Sequence, residues 1–175
     1  VRQHAPVECR FGRKFQRPTV FEDQTVHENL TLALKAARSP WAVLGWRKSA
    51  ADEGRIVALA AQVGLVDSLE RKAGILSHGR KQWLEIAMAL AGKPRLLLLD
   101  EPTGGMSLEE RRVTGELLQP IKKRCSLVIV EHDLDFIRDI CDRLTVLDQG
   151  AVLDCGTVQH IQSSARVQEV YLRRA

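Results

Sequence analysis

Residues 95–102 read RLLLLDEP: four consecutive leucines, then Asp100, Glu101 and Pro102. A short unbroken apolar run that stops at acidic residues is the pattern of a strand buried on both faces, as in a parallel sheet. Residues 126–133, SLVIVEHD, repeat it with a second apolar run ending in Glu131, His132 and Asp133. Between the two, LEERRVTGELLQPIKKR has the polar face of a surface helix. After them LDFIRDICD reads as a short helix with Asp133 as its N-cap, and RLTVLDQGAVLDCGT as two strands about a Gln149-Gly150 turn. Strand, helix, strand, helix, strand predicts an α/β fold, a mostly parallel sheet covered by helices. In such sheets chemistry collects at the carboxyl ends of the strands. Asp100, Glu101, Glu131, His132 and Asp133 are expected on that one edge. Adjacent carboxylates are most easily tolerated beside a cation, so the pattern points to a metal-bound, highly anionic ligand.

Upstream the character changes. ENLTLALK (28–35) and DEGRIVALAAQV (52–63) carry helical spacing, the second with an acidic first turn and a stop at Gly64. Residues 20–75 are expected to be helical, without a strand of any strength. Residues 1–19 show little periodicity. A third helix opens at GILSHGRKQWLEIAMAL (74–90), with Leu84, Ala87, Met88 and Ala91 on one face and Ser77 as N-cap. Its first turn combines a hydroxyl at Ser77, a bare backbone at Gly79 and side-chain donors at His78 and Arg80. Unpaired N–H groups and the positive dipole end make such a start suited to a phosphate.

Composition bounds the alternatives. The 175 residues are 45% hydrophobic and 27% charged, enough for one sizeable core and a smaller subdomain. A net charge of +4 is mild, and Lys122-Lys123-Arg124 and Arg173-Arg174 read as solvated faces, so no nucleic-acid partner is expected. No apolar run approaches a membrane span of about 18 residues. The four cysteines, at 9, 125, 141 and 155, form no C-x-x-C pair and read as reduced thiols.

Taken together, these motifs resemble the ATP-binding subunits of ABC transporters. LSHGRKQ is similar to the signature of that family, LLLLDEP 23 residues beyond Ser77 to its Walker B strand, and His132, 32 residues beyond Asp100, to its switch histidine. Gln16 in FGRKFQRP, 61 residues before Ser77, matches the Q-loop. GRKFQRPTVFEDQTVHENLTLAL, LSHGRKQWLEI and VQEVYLRR resemble most the urea importer ATPase, in the branched-chain amino-acid branch. Branched-chain amino-acid importers are the alternative within the family.

The resemblance implies an ATPase energising import of a small solute, with ATP and Mg²⁺ as cofactors. Asp100 and Gln16 are implied to serve the metal, and Glu101 to be the base that activates the attacking water. His132 is implied to hold that water against the γ-phosphate. Ser77, His78, Gly79 and Arg80 are implied to close on ATP held by a second ATPase subunit. Transmembrane permease subunits and, indirectly, a solute-binding protein are the other implied partners, at the cytoplasmic face of the membrane. The implied division is 1–19 as the Q-loop end of the core, 20–83 as a helical signature subdomain, and 84–175 as the second half of the ATPase core with its C-terminal hairpin and helix.

Three features depart from the family pattern. Arg80 stands where the signature ends in glutamine, and PTGGMS follows the catalytic acid where the urea-type wording is nearer PVAGMT. No G-x-x-x-x-G-K-[ST] occurs; Gly92-Lys93-Pro94 lacks the Ser/Thr and has Ala87 in place of the first glycine. The expectation is therefore the C-terminal portion of the subunit, with little ATP binding by these residues alone. A non-catalytic interaction module is the alternative. By the family's sheet order the loop's strand lies between SLVIV and RLTVLD, whose edges would be left unpaired.

Overall fold

The computed structural model describes residues 11–14, 20–36 and 49–172, and the chain divides into two compact units, Val1–Glu131 and His132–Ala175. The first unit holds a three-stranded parallel sheet of β1 (Phe11–Lys14), β2 (Leu96–Asp100) and β3 (Ser126–Val130), with β2 in the middle. Register pairs Phe11 with Leu96, and Leu96 with Ser126 through to Asp100 with Val130. The acidic ends of β2 and β3 thus lie side by side, as the apolar runs predict. β1 was not legible as a strand: its four residues, FGRK, include a glycine and two cations and carry no alternation.

Helices α1 (Val26–Ala36), α2 (Ala50–Gln62) and α3 (His78–Leu90) pack on one another in this unit. They are the helices expected from the periodicity, and among the described residues of 20–75 no strand intervenes beyond one isolated bridge, Thr25 to Lys72. Leu30, Leu34, Ile56, Leu84 and Ile86, each at most 2% exposed, form their shared core. Local chemistry sets the ends. Ser49 and Asp52 form a reciprocal capping box at the start of α2. Gly64, at φ 64, takes the left-handed conformation that commonly stops a helix. Helix α4 (Leu108–Lys122) follows β2, and Ser107 and Glu110 cap it in the same reciprocal way. Trp83 of α3 donates its indole N–H to Thr114 of α4 at 2.8 Å, a buried polar pair.

The second unit contains α5 (Leu134–Ile140), the hairpin β4 (Arg143–Asp148) and β5 (Ala151–Thr157), α6 (Val158–Ser163) and α7 (Ala165–Leu172). Asp133 caps α5 as expected, accepting from the amides of Asp135 and Phe136 at 3.1 Å each. Gln149 and Gly150, at φ 48 and 80, make the two-residue turn that joins β4 to β5.

One expectation is corrected. SLVIV is not buried on both faces, because Val128 and Val130 are 48% and 60% exposed. Its far edge pairs with no strand among the described residues, and β4 pairs only with β5. A run of β-branched residues signals a strand, but burial comes from what packs on it, which the run does not encode.

Candidate functional site

The chain turns back on itself directly after β2. Glu101 donates its N–H to the Val130 carbonyl at 2.8 Å, which continues the β2–β3 ladder one residue beyond Asp100. Two successive turns follow, closed by Gly104 N–H to Glu101 O and Met106 N–H to Thr103 O, both at 3.1 Å. Glu101 itself sits at φ 44, a left-handed conformation rarely taken by a residue that carries a side chain. Such backbone persists only where its surroundings hold it.

Glu131, the first residue past β3, supplies one hold. Its Oε1 accepts the Thr103 N–H at 3.0 Å and a short hydrogen bond from the Thr103 hydroxyl. Thr103 is only 3% exposed, so both donors depend on protein acceptors. Helix α3 supplies the other. Gln82, 1% exposed, donates its side-chain amide to the Gly104 carbonyl at 3.1 Å. His78 Nε2 lies 3.0 Å from the same carbonyl and 2.8 Å from Gln82 Nε2, donating to the first in one tautomer and accepting from the second in the other. Gly105, at φ 72, lets the loop pass under this imidazole; a Cβ there would lie 3.3 Å from the His78 ring.

The start of α3 engages its own chain at every predicted position. The Ser77 hydroxyl accepts the Arg80 amide at 3.3 Å and donates to Glu110 Oε1 at 3.0 Å. Gly79 faces the same carboxylate so closely that an added Cβ would stand 2.7 Å from Oε1 and 2.8 Å from Cδ. Arg80 bends away to the Gly64 carbonyl at 3.2 Å, with Asp67 at 3.9 Å. A carboxylate at a helix N-terminus gains from unpaired N–H groups and the dipole. The Ser107 amide foremost, and then the Ser77 and Ser107 hydroxyls, hold the Glu110 carboxyl below its ordinary value.

Asp100 and Glu101 thus share one sheet edge with Glu131, and the α3 start touches the loop that carries Glu101. His132 opens the second unit, and Gln16 lies outside the described residues. Sequence reading missed Thr103, Gln82 and Glu110 as parts of the site. Glu110 alone had a signal, the S-x-x-E capping box with Ser107. Among the described residues no three His, Cys, Asp or Glu side chains gather to hold a metal ion. One carboxylate with substrate oxygens is a sufficient protein contribution for Mg²⁺, so Asp100 fits that ion as a hard oxygen donor. No helix among the described residues is long and apolar enough to cross a membrane.

The family model "ABC transporter" matches residues 2–104. The methionine import ATP-binding protein MetN of Salmonella enteritidis is 35% identical over 151 residues, 85% of this chain and 45% of that protein. MetN 1 of Burkholderia pseudomallei is 36% identical over 149 residues, covering 84% and 41%. The chain spans less than half the length of these curated relatives. Among solved structures, the ADP conformation of MJ1267, an ATP-binding cassette of an ABC transporter, superposes with TM-score 0.77 at 27% identity, covering 93% of this chain and 68% of that one. CbiO1 from Clostridium perfringens, part of the transporter complex cbiONQ, gives 0.75 at 25% identity, covering 94% and 64%. The resemblance to the urea and branched-chain branch is not carried by these relatives, which are named for methionine import. That resemblance rested on wording around the motifs, and short motif contexts are shared across branches.

Proposed function

Because this chain belongs to the ABC transporter family, we propose that it is the ATP-hydrolysing part of a solute importer, working as a dimer of ATPase subunits beneath permease subunits at the membrane. The observation that carries this reading is the parallel register that sets Asp100 and Glu101 beside the end of β3, within a chain that the family model matches over 2–104. The names of the relatives favour methionine as the solute over urea or branched-chain amino acids. A solute-binding protein and the permease would make that choice, so the solute is tested by uptake of methionine, urea and leucine by the assembled transporter.

In this reading Mg²⁺-bound ATP supplies the phosphoryl group. Phosphoryl transfer asks chiefly for positioning and charge stabilisation. Asp100 offers an oxygen to the metal, joined by Gln16. Glu101 accepts a proton from the attacking water, and His132 orients that water. Residues 20–83 present the signature, Ser77 to Arg80, to ATP held by the second subunit, so its own-chain contacts give way on closure. Residues 1–19 and 84–175 belong to the ATPase core. A non-catalytic docking module is the second reading, favoured by the lack of G-x-x-x-x-G-K-[ST] in the 175 residues. Glu101→Gln in the assembled transporter decides between them. Loss of turnover with ATP-bound dimerisation retained supports hydrolysis through Glu101, and wild-type rates in that variant refute it.

A further inference from the structure

We propose that Glu131 is a positioning residue for Glu101: it anchors the loop after β2 so that the catalytic carboxylate leaves the sheet edge in one fixed direction. The inference rests on the role given to Glu101 above. It starts from the left-handed backbone of Glu101, at φ 44. Extended or helical backbone at that residue would be less strained, and either would aim the side chain elsewhere.

Two anchors bracket the strained residue, one from the last residue of β3 and one from the residue directly after it. The first is Glu101 N–H on the Val130 carbonyl at 2.8 Å. The second is the Glu131 carboxylate, the next residue along, holding both Thr103 donors through one oxygen. Only Glu101 and Pro102 lie between the anchored atoms. Proline fixes its own φ and restricts the residue before it, so this span has few conformations left to sample. With both ends pinned to the neighbouring residues Val130 and Glu131, the Cα–Cβ direction of Glu101 is determined.

A carboxylate suits this anchor better than its isosteres. Hydrogen bonds to an ionised acceptor are shorter and stronger than neutral ones. One carboxylate oxygen can take an N–H and an O–H together. Glutamine keeps an acceptor oxygen there but loses the charge. Leucine would leave two buried donors on Thr103 without an acceptor, and unpaired donors favour a rearranged loop. The opposite side of the loop is held at Gly104 by Gln82 of α3. Release at Glu131 would therefore let Pro102 and Thr103 shift while Glu101 N–H stays on Val130 and 104 stays on α3, and the backbone of Glu101 would turn between them. Glu101 is the residue that would move.

The test compares Glu131→Leu, Glu131→Gln, Thr103→Val and Glu101→Gln in the assembled transporter, reading kcat and KM for ATP and hydrogen exchange of the amides of Glu101 and of 103–106. Misplacing a catalytic group by about 1 Å costs on the order of 100-fold in rate. Glu131→Leu is accordingly expected to lower kcat on the order of 100-fold with KM changed less than about threefold, and to speed exchange at Thr103. Thr103→Val follows it more weakly, and Glu131→Gln recovers most of the rate. A merely structural role would lower the unfolding temperature and leave kcat per folded molecule unchanged, and that result overturns the proposal. So does unchanged exchange at Thr103 in Glu131→Leu. Wild-type turnover by Glu101→Gln would instead remove the function reading. An assembly with no turnover at all would do the same, with exchange at Thr103 still deciding the anchor.

Discussion

Replacing Gly79 by alanine sets two well-sized effects against each other. Alanine is the better helix former by at most about 1 kcal/mol, and Gly79 sits in the first turn of α3, where a naive expectation is stabilisation. The new Cβ, however, would stand 2.7 Å from Glu110 Oε1 and 2.8 Å from its Cδ, closer than real contacts allow. The backbone of α3 cannot give, since Gly79 is buried in the unit, so the carboxylate must. Its movement breaks the 3.0 Å bond from Ser77, worth about 0.5–1 kcal/mol at an exposed site. It also strains the capping box with Ser107, in which the Ser107 amide bond is 3.0 Å, for about another 0.5–1 kcal/mol. The losses outweigh the gain, so Gly79→Ala is expected to destabilise by about 0.5–1 kcal/mol.

Glu110→Ala removes the obstacle, and in that background the same Gly79→Ala change should stabilise by about 0.5–1 kcal/mol. Urea unfolding of the four chains in the cycle measures the coupling, expected at about 1–2 kcal/mol. Equal effects of Gly79→Ala in both backgrounds would refute the reasoning, because they would mean that Glu110 does not occupy the space above Gly79.

Thr114→Val removes the acceptor for the Trp83 indole N–H at a site that is fully buried, and should cost about 1–3 kcal/mol in chemical denaturation, whereas Thr114→Ser should cost much less. Leu97→Ala, at a fully buried position of β2, should cost about 2–5 kcal/mol in the same assay. Asp154 accepts from Ser164, from His160 and from the Cys155 amide, and its pKa is lowered to about 2, with the Ser164 bond the largest cause. A carboxyl held lower in the folded state stabilises above its ordinary value of 3.8, and that contribution fades as pH falls toward 2. Stability measured from pH 5 down to pH 2 should therefore fall less steeply in Asp154→Asn than in the wild type. ATP titration of the 175 residues by themselves should show weak binding, and micromolar Mg²⁺-dependent affinity would overturn the importance assigned to the glycine-lysine loop that this sequence lacks.

The parts of the fold that the sequence disclosed are those in which chemistry repeats locally. LLLLD and SLVIV gave two strands, and their parallel register follows from the helix that joins them. Ser77 and Asp133 announced the helices that begin directly after them, and Gln149-Gly150 announced the hairpin. β1 stayed hidden because four residues with two cations show no alternation, and its strand character comes from pairing with β2 along Phe11 to Lys14. The exposed face of β3 stayed hidden for the same kind of reason, since Val128 and Val130 look alike whether covered or bare.

Ser77, His78, Gly79 and Arg80 show where local reading ends. Hydroxyl, imidazole, bare backbone and guanidinium at a helix start suit an anion, and the structure does place an anion there, the carboxylate of Glu110. Thirty-three residues separate Ser77 from Glu110, and no spacing rule joins a signature-like turn to the capping box of a later helix. The donors were legible, but their present acceptor was not. The same geometry limits what the helix start can do next. In the proposed dimer a phosphate from the second subunit would compete with the Glu110 carboxylate for Ser77 and the Gly79 backbone, and like charges at one helix end disfavour each other. The closure proposed above would therefore ask Glu110 to swing toward Ser107, whose amide already holds its other oxygen at 3.0 Å. Gly79→Ala would displace the same carboxylate, which ties the stability cycle to the contact that the proposed closure would break.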